Sequence, residues 1–149
     1  MTSREKAFGI RAVITLYREF EQVARDQDIS LTQYRTLLYL SNGSKRAGAI
    51  AAAGAVKKPT ISAMLNNLRQ KDWIAEEADP DDGRATQIVL TEQGRARMRA
   101  FEDSLAERID QLLPGFDLPA FYMMMDTLYH ALAASKEQRL KDVERRFLE

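Results

Sequence analysis

Most of this chain spaces its apolar residues at helical intervals, but the stretch EEADPDDGRATQIVLTEQG at residues 76–94 does not. Two strand-like runs, 73–78 and 85–90, flank Asp79-Pro80-Asp81-Asp82-Gly83-Arg84, a segment rich in turn formers. In the second run Thr86, Ile88 and Leu90 alternate with Gln87 and Val89. A two-stranded hairpin is marginal on its own in water. It must therefore pack on a helical body, and the fold class is mainly α with a small β-hairpin.

The helices announce their ends. Thr2-Ser3-Arg4-Glu5 has the form of a capping box and predicts a helix to about Asp26. Its apolar residues, among them Phe8, Ile14 and Phe20, cover more than one stripe, which predicts a second contact surface such as a subunit interface. Ser30-Leu31-Thr32-Gln33 is a second capping box, and its helix stops at Asn42-Gly43. A short alanine-rich helix over 47–53 ends at Gly54. Lys57-Lys58-Pro59-Thr60 opens the next helix, with proline in the first turn where its missing N–H costs nothing. There Ile61, Met64, Leu65 and Leu68 recur on the buried side, opposite a face of Thr60, Ser62, Ala63, Asn66, Asn67, Arg69 and Gln70. Short helices, a tight connection and a helix with a polar outer face form a helix-turn-helix pattern. The hairpin that follows makes it a winged helix. Thr91 caps a helix to about Leu113, Pro114-Gly115 ends it, and Asp117-Leu118-Pro119 starts the last long helix.

The chain has 149 residues, enough for one domain with a real core, no cysteine and one histidine, His130. Disulfides and thiolate chemistry are excluded, and a histidine-rich metal site is not expected. No catalytic residues, metal or cofactor are implied, since neither a nucleophile elbow nor a phosphate-cradling loop is present. No apolar run is long enough to cross a bilayer and the N-terminus lacks a secretory signal's apolar core, so the expected location is the cytoplasm. The net charge is zero, but its distribution is polarised. Between residues 29 and 71 every charge is basic: Arg35, Lys45, Arg46, Lys57, Lys58, Arg69 and Lys71. Between 72 and 82 every charge is acidic: Asp72, Glu76, Glu77, Asp79, Asp81 and Asp82.

The order of elements resembles the MarR family of bacterial transcriptional regulators. So do LTQYRTLLYL, KKPTISAMLNNLRQKDWI and above all DPDDGRATQIVLTEQG, over roughly residues 8–134. The resemblance implies one MarR-like domain: a winged helix-turn-helix DNA-binding lobe at 30–91, and a helical dimerisation lobe from 1–29 and 92–149. It further implies a homodimer on a palindromic operator in double-stranded DNA, acting as a transcriptional regulator and in most such proteins a repressor. The helix from Pro59 would enter the major groove and the wing tip the minor groove, with Asp82 holding the fork of Arg84. Lys57, Lys58, Thr60, Ser62, Asn66 and Asn67 are then the candidate base readers, and Arg69, with Lys45 and Arg46, a backbone contact. Some positions depart from the family pattern. Gly83 stands where a basic residue is common, Ala63 where some relatives place arginine, and Asp72 where glycine is common. Glu76-Glu77 replaces a strand that often ends in arginine and is expected to repel phosphate.

Phe8, Ile14, Phe20, Ile109, Leu112, Phe121, Met124 and Leu128 are the expected dimer-interface set. Relatives of this kind release DNA when a small molecule, often an aromatic acid, binds between the lobes. Tyr17, Arg18, Tyr34 and Tyr39 would suit a phenolic carboxylate, with stacking area and a fork for the acid. The alternative to a DNA-binding regulator is a winged-helix protein-interaction module that has lost DNA binding, suggested by Glu76, Glu77 and Gly83.

Overall fold

The computed structural model describes residues 1–54 and 58–148, with side chains at 1–54 and 59–135. Helices Ser3–Asp26 (α1), Leu31–Ser41 (α2), Ala47–Gly54 (α3) and Lys58–Gln70 (α4) precede strands Ile74–Ala78 (β1) and Thr86–Leu90 (β2). Helices Glu92–Leu112 (α5) and Leu118–Leu148 (α6) follow. Residues Met1–Arg108 form one compact unit, and the chain from Ile109 on forms a second.

Both expected capping boxes are present. Thr2 Oγ1 accepts from the Glu5 N–H and Ser30 Oγ from the Gln33 N–H, while Glu5 and Gln33 reach back to the cap N–H groups. Two helices end on an aspartate in the left-handed region, Asp28 (φ 51°) after α1 and Asp72 (φ 55°) after α4. In each case the next residue's N–H bonds five residues back, Ile29 to the Ala24 carbonyl and Trp73 to that of Leu68. That closes the helix in the manner of a Schellman motif.

The core of the first unit is built from Leu37, Leu40, Ile50, Ile61, Leu65, Leu68, Trp73, Ile74, Ile88, Met98 and Phe101, joined by Ala24 and Ile29. Each fully buried Leu, Ile or Phe stabilises by roughly 1.5–3 kcal/mol relative to exposure. The buried residues of α4 are those whose 3.6-residue spacing marked them in the sequence. The strands pair antiparallel with Ile74 opposite Leu90 and Ala78 opposite Thr86. A third segment steadies the hairpin. Lys45 donates to the Ile88 carbonyl at 3.0 Å and accepts from the Ile88 N–H at 2.8 Å.

The sequence Leu90-Thr91-Glu92-Gln93-Gly94 has a packing reason. Thr91 Oγ1 donates to the Asp72 carbonyl at 2.6 Å and accepts from the Gly94 N–H at 3.0 Å. This draws the first turn of α5 onto the end of α4. A Cβ on Gly94 would fall 2.0 Å from the Trp73 carbonyl oxygen and 2.8 Å from Leu90 Cδ1. The first obstacle is backbone and cannot rotate away. Gly94→Ala is therefore expected to destabilise the first unit by roughly 3 kcal/mol. Urea unfolding followed by Trp73 fluorescence would measure it, and an unchanged midpoint would mean that this approach is looser than described.

Candidate nucleic-acid interface

The outer face of α4 carries Pro59, Thr60, Ser62, Ala63, Asn66, Asn67 and Gln70, all exposed, while Ile61, Leu65 and Leu68 are buried on the other side. No carboxylate lies on this helix. The two asparagines are not free. Arg69 Nη1 donates to Asn66 Oδ1 at 2.7 Å, and Gln33 Nε2 donates to Asn67 Oδ1 at 2.8 Å. Arg69 is itself paired with Glu76 of β1 through Nη2. Of the two acids expected to repel phosphate, Glu76 is thus paired with a cation of α4, and Glu77 is exposed.

At the wing, Asp79 is only 6% exposed although it belongs to the acidic run. Its Oδ2 accepts from Arg46 Nε at 2.8 Å and Nη2 at 2.6 Å, and its Oδ1 from the Asp81 N–H at 2.9 Å. The Asp81 N–H, then the Arg46 guanidinium, hold the Asp79 carboxyl below the usual carboxylate range. The same hydrogen bond from Arg46 raises the arginine's pKa further. Asp79 also donates its N–H to the Ala85 carbonyl, and Ala85 to that of Asp82, each at 2.9 Å. The tip is therefore a hydrogen-bonded turn pinned to the residue before α3. Arg84 is exposed at its end.

The model of the MarR family matches residues 27–85, from the α1–α2 connection to the wing. An uncharacterised HTH-type transcriptional regulator of Mycobacterium bovis is 29% identical over 106 residues, covering 68% of this chain and 74% of the relative. The HTH-type transcriptional repressor IacR of Pseudomonas putida is 21% identical over 119 residues, 77% of this chain and 71% of the relative. Among solved structures, a Staphylococcus aureus MepR variant bound to an oligodeoxyribonucleotide aligns with a TM-score of 0.63 at 25% identity, covering 90% of this chain and 99% of that one. Over residues 27–85 this chain is similar to the MarR family, and its fold is that of the MarR-type winged-helix regulators. A transcriptional regulator of Thermotoga maritima, at 19% identity and a TM-score of 0.67, covers 92% of this chain and 97% of its own and has the same fold.

Within this MarR-family fold, Thr60 and Ser62 stand exposed on α4 as expected. Lys57 lies outside the described residues, and Lys58 is described through its backbone alone. Arg69 and Arg46 are ion-paired, so neither is the free cation expected from the charge pattern. Lys71 likewise pairs with Asp28 at 3.0 Å and lies 4.6 Å over the Trp73 ring. Asp82 differs from expectation too. It accepts from the Arg84 backbone N–H at 3.1 Å, not from its guanidinium, because the tight turn brings the main chain closer than the fork. That leaves the Arg84 side chain without a partner among the described residues.

The four residues expected to hold an effector are not gathered in one cleft. An open cleft of about 590 Å³ is lined by Tyr17, Arg25, Gln33, Asn67 and Lys71, with others from the α1–α2 connection. Of the four, only Tyr17 is there. Tyr34 donates to Glu102 at 2.8 Å and packs edge-on against Phe101, and Tyr39 lies beneath Lys45. Positions five apart on α2 point to different sides. Of the expected interface set, Phe8, Ile14, Leu112, Met124 and Leu128 are exposed and Phe20 partly so. Ile109 and Phe121 are buried within the single chain and need no partner for cover.

The wing anchor was missed because Asp79 looks, in sequence, like one more solvated acid. Asp79→Ala should leave α5 amides slow in hydrogen exchange while those of Asp81 and Ala85 become fast. In the unsubstituted protein the Asp79 pKa is depressed by folding. Its contribution is therefore complete above the unfolded value near 4 and fades as pH falls through the lower folded value. Protection at the tip should hold from neutrality to about pH 4 and fall below it; loss between pH 7 and 5 would contradict the anchor.

Proposed function

We propose that this chain is a sequence-specific, double-stranded-DNA-binding transcriptional repressor that works in the cytoplasm as a homodimer and leaves its operator when a small aromatic acid binds. Residues 30–91 would be the DNA-binding lobe, and 1–29 with 92–149 the dimerisation lobe. The observation that carries the reading is the acid-free outer face of α4, whose Thr60 and Ser62 are exposed, in the same unit as the unpartnered Arg84 at a pinned wing tip. A helix of that character suits the major groove, and an arginine on a ribbon suits the minor groove. The MepR variant is similar in fold and is bound to an oligodeoxyribonucleotide; IacR, named a repressor, supports that direction of control.

Dimerisation is supported by apolar side chains left in water. On α1, Ile10, Val13 and Ile14 are each more than half exposed; on α6 the same holds for Met124 and Leu132, with Leu128 at 44%. Each set has helical spacing, the form of a face awaiting cover. Of the three residues that suggest a protein-interaction module, Glu76 is paired with Arg69, while Glu77 and Gly83 stand exposed. For the effector, Tyr17 with Arg25 offers an aromatic face and a cation for a carboxylate, in a cleft that Glu21 and Asp28 also line and that touches Asn67 of α4; Lys71 there is paired with Asp28.

Sedimentation should give twice the 17.0 kDa of one chain. Titration with duplex from the protein's own promoter region should show affinity falling steeply with salt. Arg84→Ala should lower affinity on the order of tenfold and reduce the salt slope by about 2, one contact from each subunit of the dimer. A monomer, or an Arg84→Ala variant with unchanged affinity and slope, would refute the corresponding part. Salicylate should quench or shift Trp73 fluorescence and release DNA; no response from any aromatic acid while DNA binding persists would remove that effector class.

A further inference from the structure

We infer that Gln33 and the Arg69–Glu76 pair fix the polarity of Asn66 and Asn67, so that α4 offers amide donors to the major groove and selects guanine where these residues touch bases. The inference deepens the DNA-binding reading above and rests on it. Asparagine is usually suited to adenine, which needs a side-chain carbonyl for N6–H and an amide N–H for N7. That pairing requires both ends of the amide to be free.

Here neither carbonyl is free, and the orientation of each amide follows from groups that can only donate or only accept. The Ser30 backbone N–H can only donate, and it points at Gln33 Oε1 at 2.8 Å. The other end of Gln33 is therefore its NH₂, which meets Asn67 at 2.8 Å, so the Asn67 atom there must be the carbonyl oxygen. On the other side Glu76 can only accept and Arg69 can only donate. The Asn66 atom 2.7 Å from Arg69 Nη1 must again be the carbonyl oxygen. Each chain of bonds starts at a group of fixed polarity and ends at an asparagine NH₂. Both asparagines are exposed, and among the described residues neither NH₂ meets an acceptor.

A pair of outward NH₂ groups matches a base edge made of acceptors. Guanine presents N7 and O6 side by side, thymine a single O4 acceptor beside its methyl group, and adenine and cytosine each place an amino group in the major groove. Gln33 is thus a positioning residue for specificity, acting on bases through Asn67 without touching them, and Glu76 acts likewise through Arg69 on Asn66.

Gln33→Glu tests this with almost no change in shape. Glutamate is the usual reciprocating residue of a capping box, so α2 should keep its cap, which a thermal melt would verify. One oxygen of the new carboxylate still accepts from the Ser30 N–H. The other can only accept, so the Asn67 amide must turn over and present its carbonyl outward. Full-length protein, Gln33→Glu and Asn67→Ala would each select from a pool of randomised duplexes. The position read by Asn67 is the one whose preference Asn67→Ala flattens. There the unsubstituted protein should favour guanine over adenine by about tenfold. Gln33→Glu should shift the preference to adenine or cytosine. The added negative charge weakens all duplexes alike, so the ranking of bases is the readout. An unchanged ranking in Gln33→Glu, adenine preferred by the unsubstituted protein, or no position flattened by Asn67→Ala would each overturn the inference. Failure of the unsubstituted protein to select any sequence would instead refute the DNA-binding reading, and this inference with it.

Discussion

The wing stands or falls with the hydrogen bonds from Arg46 to Asp79. Two strands of five residues cannot hold themselves together in water. The chain solves this by sending the segment before α3 along β2 through Lys45 and then hooking the tip through Arg46. The buried carboxylate accepts from an exposed cation and a backbone N–H, so its desolvation is offset by hydrogen bonds. The position of Arg84, and whatever the wing touches, follows from that one carboxylate.

The same economy governs the charges around α4. A basic stretch followed by an acidic one looks in sequence like two opposed surfaces. In three dimensions they interdigitate at Arg46 with Asp79 and Arg69 with Glu76, while Lys71 pairs with Asp28, outside both stretches. From Pro59 to Gln70 the exposed side chains of α4 are uncharged, and Asn66 and Asn67 are bonded from behind by Arg69 and Gln33. Exposed ion pairs stabilise little. Their effect here is on direction, since a guanidinium bonded to a carboxylate has fewer ways to point.

The elements themselves were legible because local physics specifies them. Both capping boxes, the Asn42-Gly43 stop, the proline near the start of α4 and the period-two run at Thr86–Leu90 each rest on neighbours in the chain. The cost of aspartate where glycine is common was visible too, and Asp72 does adopt a left-handed φ of 55°. What sequence could not show were the partners of polar groups far apart. Gln33 was recognisable as a capping residue, but its second bond, to Asn67 on α4, depends on how α2 crosses α4. Asp79 and Glu76 were read by their charge, and their burial and partners depend on the packed hairpin. The effector residues failed for a related reason. Tyr34 and Tyr39 share a helix with the cleft's edge but not a side of it.

The central claim is that two copies of this surface meet one duplex, each with α4 in the major groove and its wing alongside. Methylation protection of guanine N7, combined with minor-groove cleavage on the same operator fragment, reports both contacts at once. The account predicts two protected major-groove patches centred about 10 bp apart, each with a shielded minor-groove segment beside it. A single patch, or major-groove protection with no shielded minor groove beside it, would contradict it.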